Sequence, residues 1–276
     1  MAQFSPDRIE SLLNRMDEAI KRPLPFKGEL FTGVDLGTAY IVLAVVDSQG
    51  EPIAGSYRFA QVVKDGVLVD FTGAVRILRE MKAELEKKLE VELRLAAAAF
   101  PPGTGKAVEK VHFYAAQGAG FEVIRMVDEP TAANNVLQIK DGVIVDVGGG
   151  TTGIAVVKDG RVVYTADEPT GGTHFSLVLA GALKMSFEEA EEFKKDPRNS
   201  KDVLLIVKPV IQKVATIISR HLNGYNVDCV YLVGGTACLE GIERIISQEL
   251  NIPVWKPKNP LFVTPLGIAL SCLGGD

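Results

Sequence analysis

The chain has 276 residues, of which 47% are hydrophobic and 24% are charged, and 30 Lys and Arg against 35 Asp and Glu give a formal net charge of −5. That length allows one large or two ordinary domains with a sizeable core and excludes a disulfide-stapled miniprotein. The mildly acidic balance, with both signs interspersed along the chain, argues against nucleic acid as a partner.

The first predicted element is a helix over residues 5–21. Ser5 can cap it, Pro6 suits its first turn, and apolar residues recur at every third or fourth position. The proline-rich segment 22–28 ends the helix and predicts a stiff extended connector, so that the helix reads as an appendage. Two interpretations of the apolar stripe stay open: it folds back onto the body, or it docks the chain onto another protein.

A strand–loop–strand pattern then occurs twice. An apolar strand ends at Asp35 and runs through the loop Gly37-Thr38 into a second strand, and the same order returns at Asp146 with the loop Gly148–Thr151. Such an internal repeat predicts two related lobes, each opening with a strand that carries an aspartate at its end.

Helical and strand patterns alternate along the rest of the chain. The expected elements are a helix over 72–90, a strand over 95–100, a helix and a strand over 106–126, a helix opened by Gly171 and Gly172, helices over 186–195 and 203–222, a strand over 230–233, and helices over 241–250 and 265–273. The alternation predicts an α/β fold in which helices cover mainly parallel strands. We expect a first lobe at 29–140 with 262–276 returning to it, a second lobe at 141–261, and a separate N-terminal segment at 1–28.

Glycine loops after apolar strands suggest a phosphate site. Glycine at a strand end lets successive backbone N–H groups point into one concavity, although each such loop alone is more often an ordinary turn. The first two loops, however, each carry an aspartate, and two carboxylates beside phosphates repel one another. A cation must therefore intervene, and Mg²⁺ held through water by Asp35 and Asp146 meets that need.

Glu129 is the candidate for activating a water molecule. It lies in a turn before a helix that Pro130 fixes, where a carboxylate can orient or deprotonate water. The alternative role is a helix-start carboxylate that interacts with the helix dipole. The stretch 102–107 looks like a P-loop only superficially, because Phe100 and Ala107 stand where that motif requires glycine and a hydroxyl residue.

The composition also bears on the compartment. The three cysteines form no C-x-x-C motif, which fits a reducing compartment. No apolar run reaches the roughly 18 residues of a membrane span, and the polar start is unlike a signal peptide. We therefore expect a cytoplasmic protein without a membrane span, and we interpret the three histidines, His112, His174 and His221, as structural.

Five motifs in a fixed order carry a family resemblance: DLGT at 35–38, EPTAA at 129–133, DVGGGT at 146–151, GG at 171–172 and VGGT at 233–236. Together they resemble the nucleotide-binding signatures of the actin, heat-shock chaperone and sugar-kinase superfamily, over residues 30–276. Within that superfamily, the stretches 100–104, 146–154 and 186–191 resemble the EutJ family of ethanolamine-utilisation proteins.

The resemblance implies a two-lobed, actin-like (ribonuclease H-like) fold with ATP or ADP and Mg²⁺ in the cleft between the lobes. It implies a catalytic role for Glu129 beside the two aspartates, and a hinge near the helix after Glu129 and the last helix. The nucleotide-binding residues that it implies are Gly37 and Thr38 in the first phosphate loop, Gly148, Gly149, Gly150 and Thr151 in the second, Gly171 and Gly172, Gly234 and Gly235 in the adenosine loop, and Glu191 and Lys194 beside adenine.

The function implied by the resemblance is a slowly hydrolysing ATP switch. We expect a chaperone-like assembly factor that binds protein partners of the ethanolamine-utilisation machinery and associates with a bacterial microcompartment. Hydrolysis is expected to be slow, because Ala39 stands where the chaperones often place a second threonine and their phosphate-contacting lysine has no counterpart. No peptide-binding domain follows Asp276, so we do not expect a complete chaperone. A small-molecule kinase and a filament-forming actin homologue remain as alternatives.

Overall fold

The computed structural model describes residues 4–64 and 66–274. The chain divides into two units between Ile139 and Lys140 and again between Leu261 and Phe262, so that unit 2 is Lys140–Leu261 and unit 1 holds the rest. Among the described helices none combines the length and the apolar character that crossing a bilayer requires.

The helices and strands of both units follow one another in chain order. They are α1 (Pro6–Lys21), β1 (Leu30–Leu36), β2 (Tyr40–Asp47), β3 (Pro52–Phe59), β4 (Val63–Lys64), β5 (Val67–Leu68), α2 (Phe71–Leu89), β6 (Leu95–Phe100), α3 (Lys106–Gly118), β7 (Glu122–Asp128), α4 (Glu129–Leu137), β8 (Gly142–Val147), β9 (Thr152–Lys158), β10 (Arg161–Glu168), α5 (Gly172–Leu183), α6 (Phe187–Lys195), α7 (Ser200–His221), β11 (Val230–Val233), α8 (Ile242–Leu250), β12 (Val254–Trp255) and α9 (Val263–Ser271).

Each unit contains one five-stranded sheet, and the two sheets have the same topology. The strand order is β3-β2-β1-β6-β7 in unit 1 and β10-β9-β8-β11-β12 in unit 2. In both sheets the first three strands pair antiparallel and the last three pair parallel. The expectation of mainly parallel strands is wrong, because tight turns join the first three strands and such turns can only connect antiparallel neighbours.

The last helix returns to unit 1 and packs through two glycines. A Cβ on Gly33 of β1 would lie 2.4 Å from the carbonyl oxygen of Pro265, and one on Gly267 of α9 would lie 1.8 Å from the carbonyl oxygen of Ala132. Real Cβ atoms do not approach so closely, so only glycine lets α9 reach both β1 and α4. The Asn135 side-chain amide also donates to the carbonyl oxygen of Gly267 at 3.0 Å.

The N-terminal helix packs on unit 1 and does not stand apart from it. Ile9, Leu13 and Met16 of α1 are at most 1% exposed, and α1 lies against β3. The Arg8 guanidinium donates to the carbonyl oxygen of Val136 at 2.5 Å. Of the two interpretations of the apolar stripe, the structure therefore supports folding back onto the body, and a docking helix hanging free is ruled out for residues 6–21, because burial of the stripe removes it from water.

The core of unit 2 lies between its sheet and the helices α5, α7 and α8. Fully buried side chains of β8 and β9 meet Phe175 of α5 and the apolar face of α7. This packing fixes the carboxyl ends of β8 and β11, where two glycine segments begin, and so positions the residues of the candidate site.

Candidate functional site

The two repeated loops have the same turn. Asp35 is the penultimate residue of β1 and Asp146 that of β8, and both are half-buried. In the first loop the Gly37 N–H donates to the carbonyl oxygen of Tyr40 at 3.0 Å, and in the second the Gly148 N–H donates to that of Thr151, also at 3.0 Å.

Three glycine segments of unit 2 converge at the second loop. The carbonyl oxygen of Gly148 accepts from the Gly172 N–H at 3.0 Å and from the Thr236 hydroxyl at 2.7 Å. The Thr173 N–H donates to the carbonyl oxygen of Gly149 at 2.7 Å. The predicted loops at 148–150, 171–172 and 234–235 are thus brought together within unit 2.

The close approach of these segments requires glycine. A Cβ on Gly171 would lie 2.7 to 2.9 Å from backbone atoms of Gly148, Gly149 and Gly150, and one on Gly234 would lie 2.2 Å from Asp146 Oδ1. Gly234 also has a φ of +94°, which favours glycine. The three segments can therefore approach one another only because these positions carry no side chain.

The second loop also offers hydrogen-bond donors. Within the described residues, the N–H groups of Gly149, Gly150 and Thr151 donate to no protein acceptor. Gly150 is buried, and a buried N–H without an acceptor is costly unless a ligand or water supplies one. An anion such as a phosphate group fits this need.

Glu191 and Lys194 form an ion pair on α6 in which Glu191 is buried and Lys194 is partly buried. Ser186 begins this helix with a capping box that involves Glu189, and one helical turn separates the paired residues. The ammonium of Lys194 lies 2.6 Å from Glu191 Oε1 and 3.0 Å from the carbonyl oxygen of Gly172. Burial lowers the pKa of Lys194 from its ordinary value, and the charge of Glu191 opposes that shift.

The structure places Glu129 at the first position of α4, in unit 1. The helix cap is Asp128, whose carboxylate accepts from the Thr131 N–H at 3.0 Å. Asp128 therefore caps the helix, and Glu129 stands in its first turn, where the alternative interaction with the helix dipole also places it. Glu129 itself is half-buried and has a further polar interaction.

A magnesium ion would have to be held with few protein ligands. No group of three or more His, Cys, Asp or Glu side chains that could hold a metal occurs among residues 4–64 and 66–274. Mg²⁺ keeps several waters and commonly uses one or two carboxylates plus substrate phosphates. Asp35 in unit 1 and Asp146 in unit 2 each offer one carboxylate at a strand end, which fits hydrated binding and does not fit an all-protein cage.

The three histidines are all hydrogen-bonded to protein groups. His112 contacts the carbonyl oxygen of Ala99, His174 accepts weakly from the Gly171 N–H at 3.4 Å, and His221 lies between Tyr164 and Glu168 at 2.7 and 2.8 Å. Glu168 has a lowered pKa, chiefly because of its hydrogen bond to His221.

Three hydroxyl residues organise the site, and sequence reasoning gave none of them a role of its own, although Thr236 lies in the VGGT motif at 233–236. Thr236 bonds to Gly148, the buried Thr152 hydroxyl donates to the carbonyl oxygen of Thr170 at 2.6 Å, and Ser176 contacts Lys194 Nζ at 2.6 Å. Thr236 stands directly after the Gly234-Gly235 pair, which was the available signal. Ser176 carries no local motif, since its partners lie 15 and 18 residues away on another helix.

Comparison with known proteins gives close relatives. The family model described as type IV pilus assembly protein PilM matches residues 103–258. Ethanolamine utilization protein EutJ of Salmonella typhimurium is 42% identical over 243 residues, which cover 88% of this chain and 85% of that protein.

Solved structures extend the comparison. The crystal structure of ethanolamine utilization protein EutJ from Carboxydothermus hydrogenoformans matches with a TM-score of 0.92 and 48% identity, over 96% of this chain and 99% of that chain. MreB5 of Spiroplasma citri bound to ADP matches with a TM-score of 0.71 and 17% identity, over 90% of this chain and 99% of that chain. These matches confirm the predicted actin-like ATPase fold.

Proposed function

Since the chain belongs to the EutJ family of ethanolamine utilisation proteins and has an actin-like ATPase fold, we propose that it binds magnesium-ATP and hydrolyses it slowly. The observation that carries this proposal is the convergence of three glycine segments of unit 2 around N–H groups that lack protein acceptors. The distant relative MreB5, which has the same fold, is bound to ADP.

The phosphate end of the nucleotide is assigned to the two repeated loops. In the second loop the N–H groups of Gly149, Gly150 and Thr151 donate to phosphate oxygens, and in the first loop Gly37 and Thr38 lie at the matching turn. Asp35 and Asp146 hold the waters of the magnesium ion. When bound, the magnesium ion would neutralise the negative charge of the phosphate groups.

Glu129 is assigned to the attacking water. A carboxylate at the start of a helix can accept a hydrogen bond from that water and so orient it toward the terminal phosphorus. The proposed hydrolysis is slow, because Ala39 contributes no hydroxyl to the first loop.

The nucleoside end is assigned to Glu191, Lys194, Gly234 and Gly235. All three N–H groups of Lys194 already have acceptors, namely Glu191 Oε1, the carbonyl oxygen of Gly172 and Ser176 Oγ. A nucleotide that bound Lys194 would have to replace one of them. Glu191 Oε2 lies 3.8 Å from Lys195 Nζ, and we assign this oxygen as the acceptor for a ribose hydroxyl.

We place this switch in the cytoplasm, as a chaperone-like assembly factor for ethanolamine utilisation that associates with a microcompartment. The family membership supports this setting, and a protein partner of the same machinery is proposed with it. Because the apolar face of α1 is buried, a partner that used residues 5–21 would meet the polar face of that helix, which exposes Ser11, Asn14 and Glu18.

Calorimetry with ATP, with and without Mg²⁺, tests the proposal. We expect binding that requires Mg²⁺ and that weakens at least tenfold in Asp146→Ala, while the exposed Asp202→Ala on α7 binds as the parent does. Equal binding without Mg²⁺, or parent-like binding by Asp146→Ala, would overturn the proposal. Faster ADP release with a small alcohol would instead favour a kinase, and ATP-dependent pelleting would favour a filament.

A further inference from the structure

Ser176 is a completely buried serine on α5, one turn after Gly172. Its hydroxyl lies 3.1 Å from the carbonyl oxygen of Gly172 and accepts from Lys194 Nζ at 2.6 Å. It also forms a short hydrogen bond to Glu191 Oε1. A hydroxyl has one proton and two lone pairs, so it can donate to one of the two oxygens while it accepts from the ammonium.

Two of these contacts distinguish Ser176 from an ordinary helix serine. A serine inside a helix commonly donates only to the carbonyl oxygen four residues earlier, which here is Gly172. Ser176 also reaches across to α6, where it meets both members of a buried ion pair whose side chains are 10% and 15% exposed.

The buried ammonium of Lys194 depends on this hydroxyl. Its three N–H groups have three acceptors, and Ser176 Oγ is one of them. A buried charge is tolerated only when its hydrogen-bonding groups are satisfied. Without the hydroxyl, one N–H of Lys194 has no acceptor, and the pair is free to adopt another arrangement.

The same contacts join α6 to the second loop. The carbonyl oxygen of Gly172 accepts from Lys194, and the N–H of Gly172 donates to the carbonyl oxygen of Gly148. A continuous chain of hydrogen bonds therefore runs from the Glu191–Lys194 pair to the backbone assigned to the phosphates.

We propose that Ser176 is a positioning residue that holds the carboxylate of Glu191 in place for the nucleoside and couples it to the second glycine loop. This inference rests on the proposed function. Ser176 does not touch the nucleotide, and it acts through Glu191 and Lys194.

A double-mutant cycle on the affinity for magnesium-ATP tests this role, with Ser176→Ala, Glu191→Gln and the double variant measured by calorimetry. Loss of a hydrogen bond to a charged group predicts about a tenfold or larger loss of affinity for each single variant. If Ser176 acts through Glu191, the double variant is no weaker than the weaker single variant, because neighbouring residues of one network are not additive.

Three further variants separate positioning from folding. Ser176→Thr keeps the hydroxyl and is expected to restore most of the affinity, whereas Ser176→Cys fills similar space with a weak donor and is expected to bind as Ser176→Ala does. Ser247→Ala is the matched control, because it removes a hydroxyl that donates to the carbonyl oxygen of Ile252 at 2.8 Å in the same unit. It is expected to leave the affinity unchanged.

The outcomes are distinguishable. If the parent binds no ATP, the proposed function fails. If the parent binds and Ser176→Ala binds equally well, or if the effects of Ser176→Ala and Glu191→Gln add, the positioning role fails. If Ser176→Ala does not fold, the cycle is made with Ser176→Cys, and additivity there overturns the inference in the same way.

Discussion

Units 1 and 2 share a sheet order and a loop turn but differ in what surrounds the loop. In unit 2 the second loop bonds to Gly172, Thr173 and Thr236. In unit 1 the first loop continues into an aromatic cluster, in which the ring of Tyr40 lies 5.7 and 5.8 Å from those of Tyr57 and Phe59. The repeat therefore specifies the turn, whereas the residues that contact the loop differ between the two units.

Buried lysines show the same difference. In unit 1, Lys82 pairs with Glu86 on α2 and lies over the ring of Phe121, where it supports packing. In unit 2, Lys194 pairs with Glu191 and bonds to the glycine segment at Gly172. A similar ion pair thus serves the core in one unit and the candidate site in the other.

The largest expected effect tests whether α1 belongs to unit 1. Met16→Ala should lower the free energy of unfolding by about 2–5 kcal/mol, because it leaves a cavity at a fully buried position. Urea unfolding measures the change, and the exposed Asn14→Ala on the same helix is the control. If both variants unfold alike, the helix does not contribute to the core.

The next effect concerns the packing of α9 on α4, the two helices that follow the last strand of each five-stranded sheet. Gly267→Ala should destabilise the fold by about 1–3 kcal/mol or more, because the new methyl group meets the backbone of Ala132. Gly181→Ala in α5 is the matched control. No atom lies within 4 Å of its added Cβ, so helix propensity should make it neutral or stabilising by up to about 1 kcal/mol.

The two repeated loops are expected to differ, by a smaller amount, in how much an alanine substitution destabilises them. A Cβ on Gly37 would lie 2.8 Å from the carbonyl oxygen of Tyr40, whereas one on Gly148 would lie 3.4 Å from that of Thr151. We expect Gly37→Ala to cost about 1–2 kcal/mol and Gly148→Ala to cost less, because only the first forces the backbone to move. Equal unfolding midpoints for the two variants would contradict this difference between the loops.

The smallest effect is a pH dependence in unit 1. The Nδ1–H of His112 donates to the carbonyl oxygen of Ala99, and its buried Nε2 has no partner in the described part of the chain. Burial lowers the pKa of His112, so the unfolded chain takes up a proton first as the pH falls.

His112 therefore contributes to the free energy of unfolding above a pH of about 6.5, and this contribution is lost as the pH falls. The free energy of unfolding should decrease by at most about 1.4 kcal/mol between pH 6.5 and pH 5.5 for this reason. Urea unfolding at both pH values measures the loss. His112→Asn should remove this part of the dependence, and an unchanged dependence in that variant would assign it to other groups.

Features that occur twice in the chain, or that show a regular spacing of apolar residues, could be predicted from the sequence. The aspartates at the ends of β1 and β8, the glycine loops and most helices were predictable, because strand patterns and glycine positions are local signals. The third strand of each sheet, β3 and β10, was missed. Both are edge strands. The second half of β3 and all of β10 are exposed or partly exposed, so the apolar signal there is weak.

Contacts between distant residues were not predictable. Ser176 meets Lys194 only because α5 and α6 pack together, and α1 meets β3 only through tertiary folding. An amphipathic helix has the same pattern whether it packs on its own domain or on a partner, which is why the role of residues 5–21 stayed open.

The central claim is that both repeated loops act on one magnesium nucleotide. The most direct measurement is the affinity for magnesium-ATP of Asp35→Asn, Asp146→Asn and the double variant, by calorimetry. We predict that each single variant weakens binding at least tenfold and that the double variant is no weaker than the worse single one. Parent-like binding by Asp35→Asn, or effects that simply add, would contradict the claim.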